Sequence, residues 1–282
     1  MARTGGGAVA VRPDAGVAAG WRRWRPGVAA VAARLLPVAV ALLAWEAVAR
    51  SGMVNPRLFP PLGAIAAHLW ALLHDPQLGR HLGASFTRIV AGFGLAVAVG
   101  VPLGMVLSSV PPVSRAVEPL LALTYPVPRL ALYPILVFLL GIGHLSKVTL
   151  VALECLYPIV ISTADGLRHV DRLYLWSAQN MGAGRWRLFW RVQVPAAAPQ
   201  VFAGFRIALP VAFIITVLTE MVSATEGLGW LILYASASLV QARTFAAVAL
   251  VALIGFLMDR ALAALRHRLI VWERETVLVA MR

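Results

Sequence analysis

The sequence is short of cysteine and of lysine, and each shortage excludes a class of protein. One cysteine, Cys155, in 282 residues rules out an internal disulfide framework and favours a small buried side chain in its apolar run. The one lysine, Lys147, follows Ser146, whereas a P-loop needs lysine directly before serine or threonine. The chain therefore has no P-loop, and any ATP that drives it must be bound by another subunit.

Histidine is also sparse, and the histidines do not cluster. The six positions are 68, 74, 81, 144, 169 and 267. They fall in loops and near helix ends, without the spacing of zinc ligands. Neither a metal-binding set nor a Ser/Lys pair marks a catalytic centre. We therefore predict a non-catalytic chain with no metal site.

Charge is scarce overall, at 13% of residues, while 60% are hydrophobic and the mean hydropathy is +0.81. A soluble domain is only about half apolar and about a quarter charged. These values predict an all-α integral membrane protein, because helices of about 20 apolar residues cross a bilayer. Six spans can be assigned, at 31–49, 86–109, 117–140, 147–164, 199–222 and 244–264.

The first span has a second interpretation, as a signal peptide. Ala47-Val48-Ala49 fits the small-residue pattern of a cleavage site. Against it, the basic n-region would be unusually long, and Glu46 would lie in the cleavage region. Either interpretation leaves the orientation of the later spans unchanged.

The distribution of positive charge sets the orientation. With the N-terminus in the cytoplasm, the inside segments hold 17 lysines and arginines and the outside segments hold 6. Cytoplasmic loops carry such an excess, so both termini are predicted to face the cytoplasm. We expect 1–30 to be a disordered tail and 266–282 a basic tail. The same bias explains the net charge of +13 without a nucleic-acid partner.

Three shorter features lie between or within the spans. In residues 60–84, apolar residues at helical spacing predict an amphipathic helix on the outer face. Gly100 and Gly104 form a small-xxx-small pattern, which predicts close helix packing. Residues 226–232, EGLGWLI, predict a turn followed by a short apolar helix.

The stretch NMGAGRWRLFWRVQVPAAAP, residues 180–199, interrupts the apolar pattern on the predicted cytoplasmic side. Glycines open it, and a helix should run from Arg185 to about Val194, because the residue before Pro195 is pushed out of the α region. Pro199 then suits the first turn of the next helix.

Aromatic residues on this short helix are predicted to share one face. Trp186, Phe189 and Trp190 fall at i, i+3 and i+4, while Arg187 and Arg191 share another face. Such a surface suits a protein partner, because tryptophan and arginine dominate interface hot spots. An interfacial helix, with tryptophan at headgroup level and arginine on lipid phosphates, fits equally well.

Five stretches of the sequence resemble motifs of one known family. They are residues 180–199, LALYPILVFLLGIGHLSKV (130–148), AAAPQVFAGFRIAL (196–209), TEMVSATEGLGWLI (219–232) and MDR (258–260). The first resembles the cytoplasmic EAA loop of bacterial binding-protein-dependent ABC importer permeases, although Trp176-Ser177-Ala178 stand where that motif has Glu-Ala-Ala. Residues 58–275 together resemble the nitrate/sulfonate/taurine-type permeases.

This resemblance implies a type I importer permease in a bacterial inner membrane, with a transmembrane core at 81–265 after a first span and outer segment at 31–80. The implied partners are a cytoplasmic ATPase dimer that binds ATP and Mg²⁺, an extracytoplasmic substrate-binding protein, a second permease copy and lipid. The short loop helix would be the coupling helix. The residues assigned to it are Gly182, Arg185, Trp186, Arg187, Phe189, Trp190, Arg191 and Pro195.

Charged residues inside the spans are the candidates for the solute pathway. Arg129 is the foremost, because an anionic solute needs a cation and nearby prolines break its helix. Arg206 and Glu220 are further candidates, with structural pairing as the alternative. Glu154 is expected to pair with an arginine or to stay protonated.

The resemblance predicts import of a small anionic solute such as a sulfonate, taurine or nitrate. Permeases for vitamin precursors look alike, so they remain an alternative. An ion-coupled secondary transporter is another, but it would need inverted repeats and midplane carboxylates, and the sequence shows no repeat.

Overall fold

Every regular element among the described residues is a helix. The computed structural model describes residues 28–55, 57–124 and 126–272, with side chains from Leu36 onward. The helices are α1 (Val28–Arg50), α2 (Leu62–Leu73), α3 (Leu78–Ser109), α4 (Pro111–Thr124), a 3₁₀ turn (Arg129–Leu132), α5 (Tyr133–Leu140), α6 (His144–Arg168), α7 (Arg172–Asn180), α8 (Arg185–Leu188), a π turn (Phe189–Gln193), α9 (Val194–Ser223), α10 (Leu228–Ala237) and α11 (Gln241–Leu269). The tails predicted at 1–30 and 266–282 lie mostly outside the described residues.

Four helical stretches are long and apolar enough to cross a membrane: α3, α6, the stretch from Arg185 to Ser223, and α11. A fifth is added if the bent pair Pro111–Thr124 and Arg129–Leu140 counts as one span. Helix α1 has 23 residues and covers the first predicted span. The all-α membrane class is thus confirmed, and the number of six spans stays a prediction.

The helix that contains the second predicted span begins before that span does. The sequence placed its start at residue 86, but α3 begins at Leu78 and spans 32 residues. The turns before residue 86 carry His81 and Ser85, which are buried and hydrogen-bonded to Gly227 and Glu220. A pattern based on hydropathy stops short of such residues because it treats every polar side chain as exposed.

The third predicted span, 117–140, is not one straight helix. Helix α4 ends at Thr124, and the chain bends by 86° before Arg129–Leu140 continues. Pro126 and Pro128 lie in the break, where they remove backbone donors and prevent a regular helix. The sequence predicted that prolines break this helix, and they do. It did not predict that residues 117–140 would form two helical segments at a large angle.

Glycines let α3 and α6 approach closely between Gly92 and Gly104 of α3. A β-carbon at Gly100 would lie 2.9 Å from Cγ2 of Ile159, and one at Gly104 would lie 2.6 Å from Cβ of Thr163. Real side chains do not sit at such distances, so only glycine permits this contact. The predicted packing role of Gly100 and Gly104 is confirmed.

The order of the contacts fixes the directions of the helices. Rising residue numbers pair along α3 and α6, so these helices are parallel, whereas Gly204 of α9 packs on Ser162 and Gly166 of α6 packs on Gln200. Helix α9 is therefore antiparallel to both. We call the end of the bundle near residues 168–194 the arginine end and the end near residues 220–229 the glutamate end.

Helices α2, α10 and α11 form a second apolar layer. Leu72, Leu228, Leu231 and Leu250 are buried in one cluster, with Leu69 packed against it. The predicted amphipathic helix therefore packs on the bundle at the glutamate end. It is joined to α1 through Glu46, whose Oε2 accepts the Leu62 N–H at 2.7 Å.

Candidate functional site

The arginine end is shaped by a turn that only glycine completes easily. Helix α7 ends at Asn180, and Gly182 follows with φ of +80°. The Gly182 N–H donates to the Gln179 carbonyl at 2.9 Å, and the Ala183 N–H donates to the Ala178 carbonyl at 3.0 Å. This is the Schellman arrangement, with glycine in the left-handed position after the helix. Gly182 thus sets the direction in which α8 leaves α7.

The next helix does not end where the sequence predicted. The expected break near Val194 is wrong, because Val194 has α-helical dihedrals and its N–H donates to the Phe189 carbonyl, five residues back. This π turn connects α8 to α9 without interruption, so residues 185–223 form one helical stretch. Pro195 lies in the first turn of α9, where its missing donor is tolerated because the wider turn has already shifted the bonding pattern.

The aromatic residues predicted to share one face divide between two environments. Trp186 is 77% exposed, and Trp190 is 45% exposed beside it, with ring centroids 5.7 Å apart. Phe189 instead packs against a cluster that contains Leu167 of α6 and Ala197 of α9. The surface offered to a partner is thus the tryptophan pair, while Phe189 ties it to the membrane helices.

Positive charge surrounds the tryptophan pair. Arg185, Arg187 and Arg191 are all exposed. Arg191 and Pro195 also line a cleft of about 710 Å³ between α7 and the start of α9. The predicted coupling residues are therefore brought together at one end of the bundle, on one short element.

At the glutamate end, a buried ion pair joins α3 to α9. Arg88 Nη1 lies 2.6 Å from Glu220 Oε1, with side-chain exposures of 4% and 0%. Ser85 Oγ donates to the same carboxylate at 2.8 Å, and the Gly229 N–H donates at 2.9 Å. Glu220 is thus surrounded by hydrogen-bond donors from the protein. This geometry does not support its predicted place on the solute pathway.

A loop at residues 224–227 covers this pair. Arg80 Nε donates to Glu226 Oε2 at 2.8 Å, and this hydrogen bond holds the pKa of the Glu226 carboxyl below its usual value. Arg88 also donates to the backbone carbonyl of Glu226 at 2.9 Å. His144 Nε2 approaches Glu226 at 3.8 Å. The loop is therefore held to both α3 and α6.

Lys147 is buried beside this loop and bonded to oxygen atoms. Its Nζ donates to the carbonyls of Ser223 at 3.1 Å and Ile142 at 3.2 Å, and lies 5.8 Å from the Tyr133 ring. Tyr133 in turn contacts Ser223 Oγ at 2.5 Å. The lysine joins the end of α9 to the starts of α5 and α6, which is a structural arrangement.

The other predicted pathway residues have their own partners. Arg129 lies 3.8 Å from Glu154 of α6, which confirms the expected pairing of Glu154 with an arginine. Arg206 lies 3.7 Å from Asp259 of α11, and 62% of its side chain is exposed. The structure therefore does not gather Arg129, Arg206 and Glu220 into one site.

Sequence reasoning missed Arg88 and Ser85 altogether. They lie 132 and 135 positions from Glu220 along the chain, and single-sequence periodicity carries no information about such pairs. One signal was present in the sequence. Glu220 lies within a predicted span, and a carboxylate there needs a cationic partner, which could have prompted a search among the arginines.

Comparison with known proteins agrees with this architecture. Residues 96–271 match the family described as "Binding-protein-dependent transport system inner membrane component". The taurine transport system permease protein TauC of Escherichia coli is 34% identical over 243 residues, which cover 84% of this chain and 88% of that protein. The formylaminopyrimidine transport permease protein ThiX of Halalkalibacterium halodurans is 32% identical, covering 83% and 93%.

A relative from Bacillus subtilis, named for transport of aliphatic sulfonates, is 28% identical over 239 residues, covering 85% of this chain and 86% of its own. The family match spans more than half of this chain, and these relatives align along most of their length. With its apolar helical bundle and the exposed basic element between α7 and α9, the chain belongs to the inner membrane permeases of binding-protein-dependent ABC transporters, of the taurine and sulfonate type.

Proposed function

We propose that this chain forms the membrane pathway of an ATP-driven importer for a small sulfonate such as taurine. The observation that carries the proposal is the agreement between family membership and the exposed Trp186–Trp190 pair on a short element of the arginine end. A relative at 34% identity, named for taurine transport, supports the solute class.

The tryptophan pair is the proposed contact with the ATPase. Exposed tryptophans surrounded by arginines, here Arg187 and Arg191, have the composition of an interface hot spot. Phe189, which contacts Trp190 and packs against Leu167 and Ala197, would transmit movement to α6 and α9. A contact that differs between two states of the ATPase would then bias the bundle between two arrangements.

ATP and Mg²⁺ are assigned to the separate ATPase. Lys147 is 1% exposed and bonded to carbonyl oxygens, so it has no role in holding a nucleotide. The direction of coupling is thus from an ATPase at the arginine end, which we place in the cytoplasm, into the membrane helices. An extracytoplasmic binding protein would deliver the solute at the glutamate end.

A second copy of the chain is proposed to cover the break between α4 and α5. Pro126, Val127 and Pro128 are exposed there on irregular backbone. Irregular backbone at membrane depth is tolerated only where it meets protein or a water-filled cavity, not lipid tails. A homodimer with the solute pathway between its copies meets that requirement, and lipid would cover the remaining apolar surface.

A vitamin precursor is the second candidate solute. The relative named for formylaminopyrimidine transport is 32% identical, nearly the same as the relative named for taurine. Both candidates share the same architecture and partners, so they differ only in the solute delivered.

The test is reconstitution of the chain with its ATPase and binding protein in proteoliposomes, with the Trp186→Ala variant. Loss of a hot-spot tryptophan should lower solute-stimulated ATP hydrolysis by about tenfold or more. Phe256→Ala is the control, because Phe256 is an aromatic residue that is 54% exposed near the middle of α11, away from both ends of the bundle, and the variant should stay within about twofold of wild type.

Equal activity of the Trp186→Ala variant and wild type would refute the coupling assignment. The solute is tested in the same system with labelled taurine and labelled formylaminopyrimidine. Uptake of taurine supports the sulfonate proposal, whereas uptake of the pyrimidine alone supports the second candidate.

A further inference from the structure

The side chains of Arg129 and Glu154 lie close together and partly exposed, but they make no direct hydrogen bond with each other. Arg129 Nη1 and Glu154 Oε2 are 3.8 Å apart, and 17% of each side chain is exposed. A hydrogen bond between nitrogen and oxygen is shorter, at about 2.7–3.2 Å. By contrast, Arg88 and Glu220 meet at 2.6 Å and exclude solvent. Because Arg129 and Glu154 make no such direct bond, a solute that lies alongside them can contact both charges.

Both charges lie at membrane depth, on a surface that cannot face lipid. Glu154 is near the middle of the 25-residue α6. Arg129 follows the 86° break, directly after the exposed Pro126 and Pro128. Partly exposed charges and irregular backbone at this depth both require a water-filled cavity or protein beside them.

The Tyr157 ring and a backbone carbonyl hold Arg129 in place at this site. Arg129 lies over the Tyr157 ring, with its guanidinium carbon 5.5 Å from the ring centroid. Tyr157 follows Glu154 by three residues on α6, so both share one face of that helix. Arg129 Nη1 also donates to the Leu153 carbonyl at 3.3 Å, which holds the guanidinium against α6.

We infer that Arg129 and Glu154 form a solute site selective for zwitterionic aminosulfonates over simple sulfonates. Arg129 would bind the sulfonate, and Glu154 would bind the ammonium group. This inference rests on the proposed function, since it names the solute class within the sulfonates.

Charge balance explains the selectivity. The pair has no net charge, and neither has a zwitterion, so a zwitterion that lies alongside the pair leaves every charge with an opposite partner. A simple sulfonate would bind Arg129 and leave Glu154 as an uncompensated carboxylate at low dielectric, which is costly. In taurine a short ethylene linker joins the two charged groups, which suits the close spacing of Arg129 and Glu154.

A second ion pair of similar length does not share these features. Arg206 and Asp259 are 3.7 Å apart, but 62% and 33% of their side chains are exposed. Solvent screens charges at such a site, so it discriminates poorly between solutes. This pair supplies the matched control.

The experiment measures solute binding by the permease–ATPase complex in lipid nanodiscs without the binding protein. The probes are radiolabelled taurine and ethanesulfonate, which differ in the ammonium group. We expect wild type to bind taurine about tenfold or more tightly than ethanesulfonate, since one charge-assisted contact distinguishes them. Glu154→Gln should abolish this preference, Arg129→Gln should weaken both probes, and Asp259→Asn should match wild type.

Glu154→Asp keeps the carboxylate and should retain part of the preference, and thermal unfolding of each variant verifies that it folds. The inference is overturned if wild type does not discriminate or binds neither probe, or if Glu154→Gln weakens both probes equally, as a purely structural pair would. Failure of the proposed function looks different: the complete complex would then import no sulfonate at all.

Discussion

Replacing Glu220 by glutamine should destabilise the protein strongly, because it breaks a buried charge pair without changing the size of the side chain. The carboxylate accepts from Arg88 at 2.6 Å, from Ser85 at 2.8 Å and from the Gly229 N–H at 2.9 Å. A glutamine amide turns one acceptor into a donor, which then faces another donor.

The magnitude follows from burial. Removing one partner of a buried ion pair costs about 3–5 kcal/mol, because the remaining charge is left uncompensated. Glu220 is 0% exposed and Arg88 is 4% exposed, so solvent cannot replace the lost contact. The Asp259→Asn change makes the same carboxyl-to-amide substitution in an exposed pair and should cost about 0–1 kcal/mol.

The assay is denaturant-induced unfolding of the purified chain in detergent, followed by tryptophan fluorescence. Trp230 stacks on His81 beside the buried pair, with ring centroids 4.9 Å apart, so the summed tryptophan emission should change when this end unfolds. The reasoning fails if the Glu220→Gln variant loses less than about 1 kcal/mol. Normal stability combined with lost solute transport would instead restore Glu220 to the pathway.

Three further predictions concern packing and pH. Gly104→Ala should cost about 1–3 kcal/mol in the same assay by forcing α3 from α6, whereas Gly94→Ala, with nothing within 4 Å of the added carbon, should not destabilise. Phe189→Ala should lower the unfolding temperature, since the ring is packed against α6 and α9, and an unchanged midpoint contradicts that contact. Because the pKa of Glu226 is lowered, its stabilising effect is present above the unfolded pKa and is lost as pH falls through the folded one. Arg80→Gln should move that acid loss to higher pH in thermal unfolding scans, and identical pH profiles would refute the pairing.

Much of the helical layout was accessible from apolar run lengths, because a bilayer demands long apolar segments whatever they pack against. The turn at Gly182 and the close approach at Gly104 were also readable, since each depends on a property of glycine alone. The pairing of Glu154 with an arginine followed from the cost of an isolated intramembrane charge.

Tertiary partners were the part that the sequence did not reveal. Arg88 lies at the start of the second predicted span, but its partner Glu220 is 132 positions further along the chain, where local patterns cannot reveal it. The helix through Val194 likewise continues, since a π turn accommodates Pro195. Local proline rules predict a break there because they consider one residue at a time.

Burial of Lys147 and Cys155 has a practical consequence. The chain's one lysine and one cysteine are 1% and 0% exposed, so amine-directed and thiol-directed reagents find neither side chain accessible in the fold. A cysteine introduced at a chosen exposed position would therefore take up a thiol reagent selectively within this chain. Two such positions, one at each end of the bundle, would allow distances across the membrane to be followed by fluorescence or spin labels during ATP turnover, without first removing native reactive side chains.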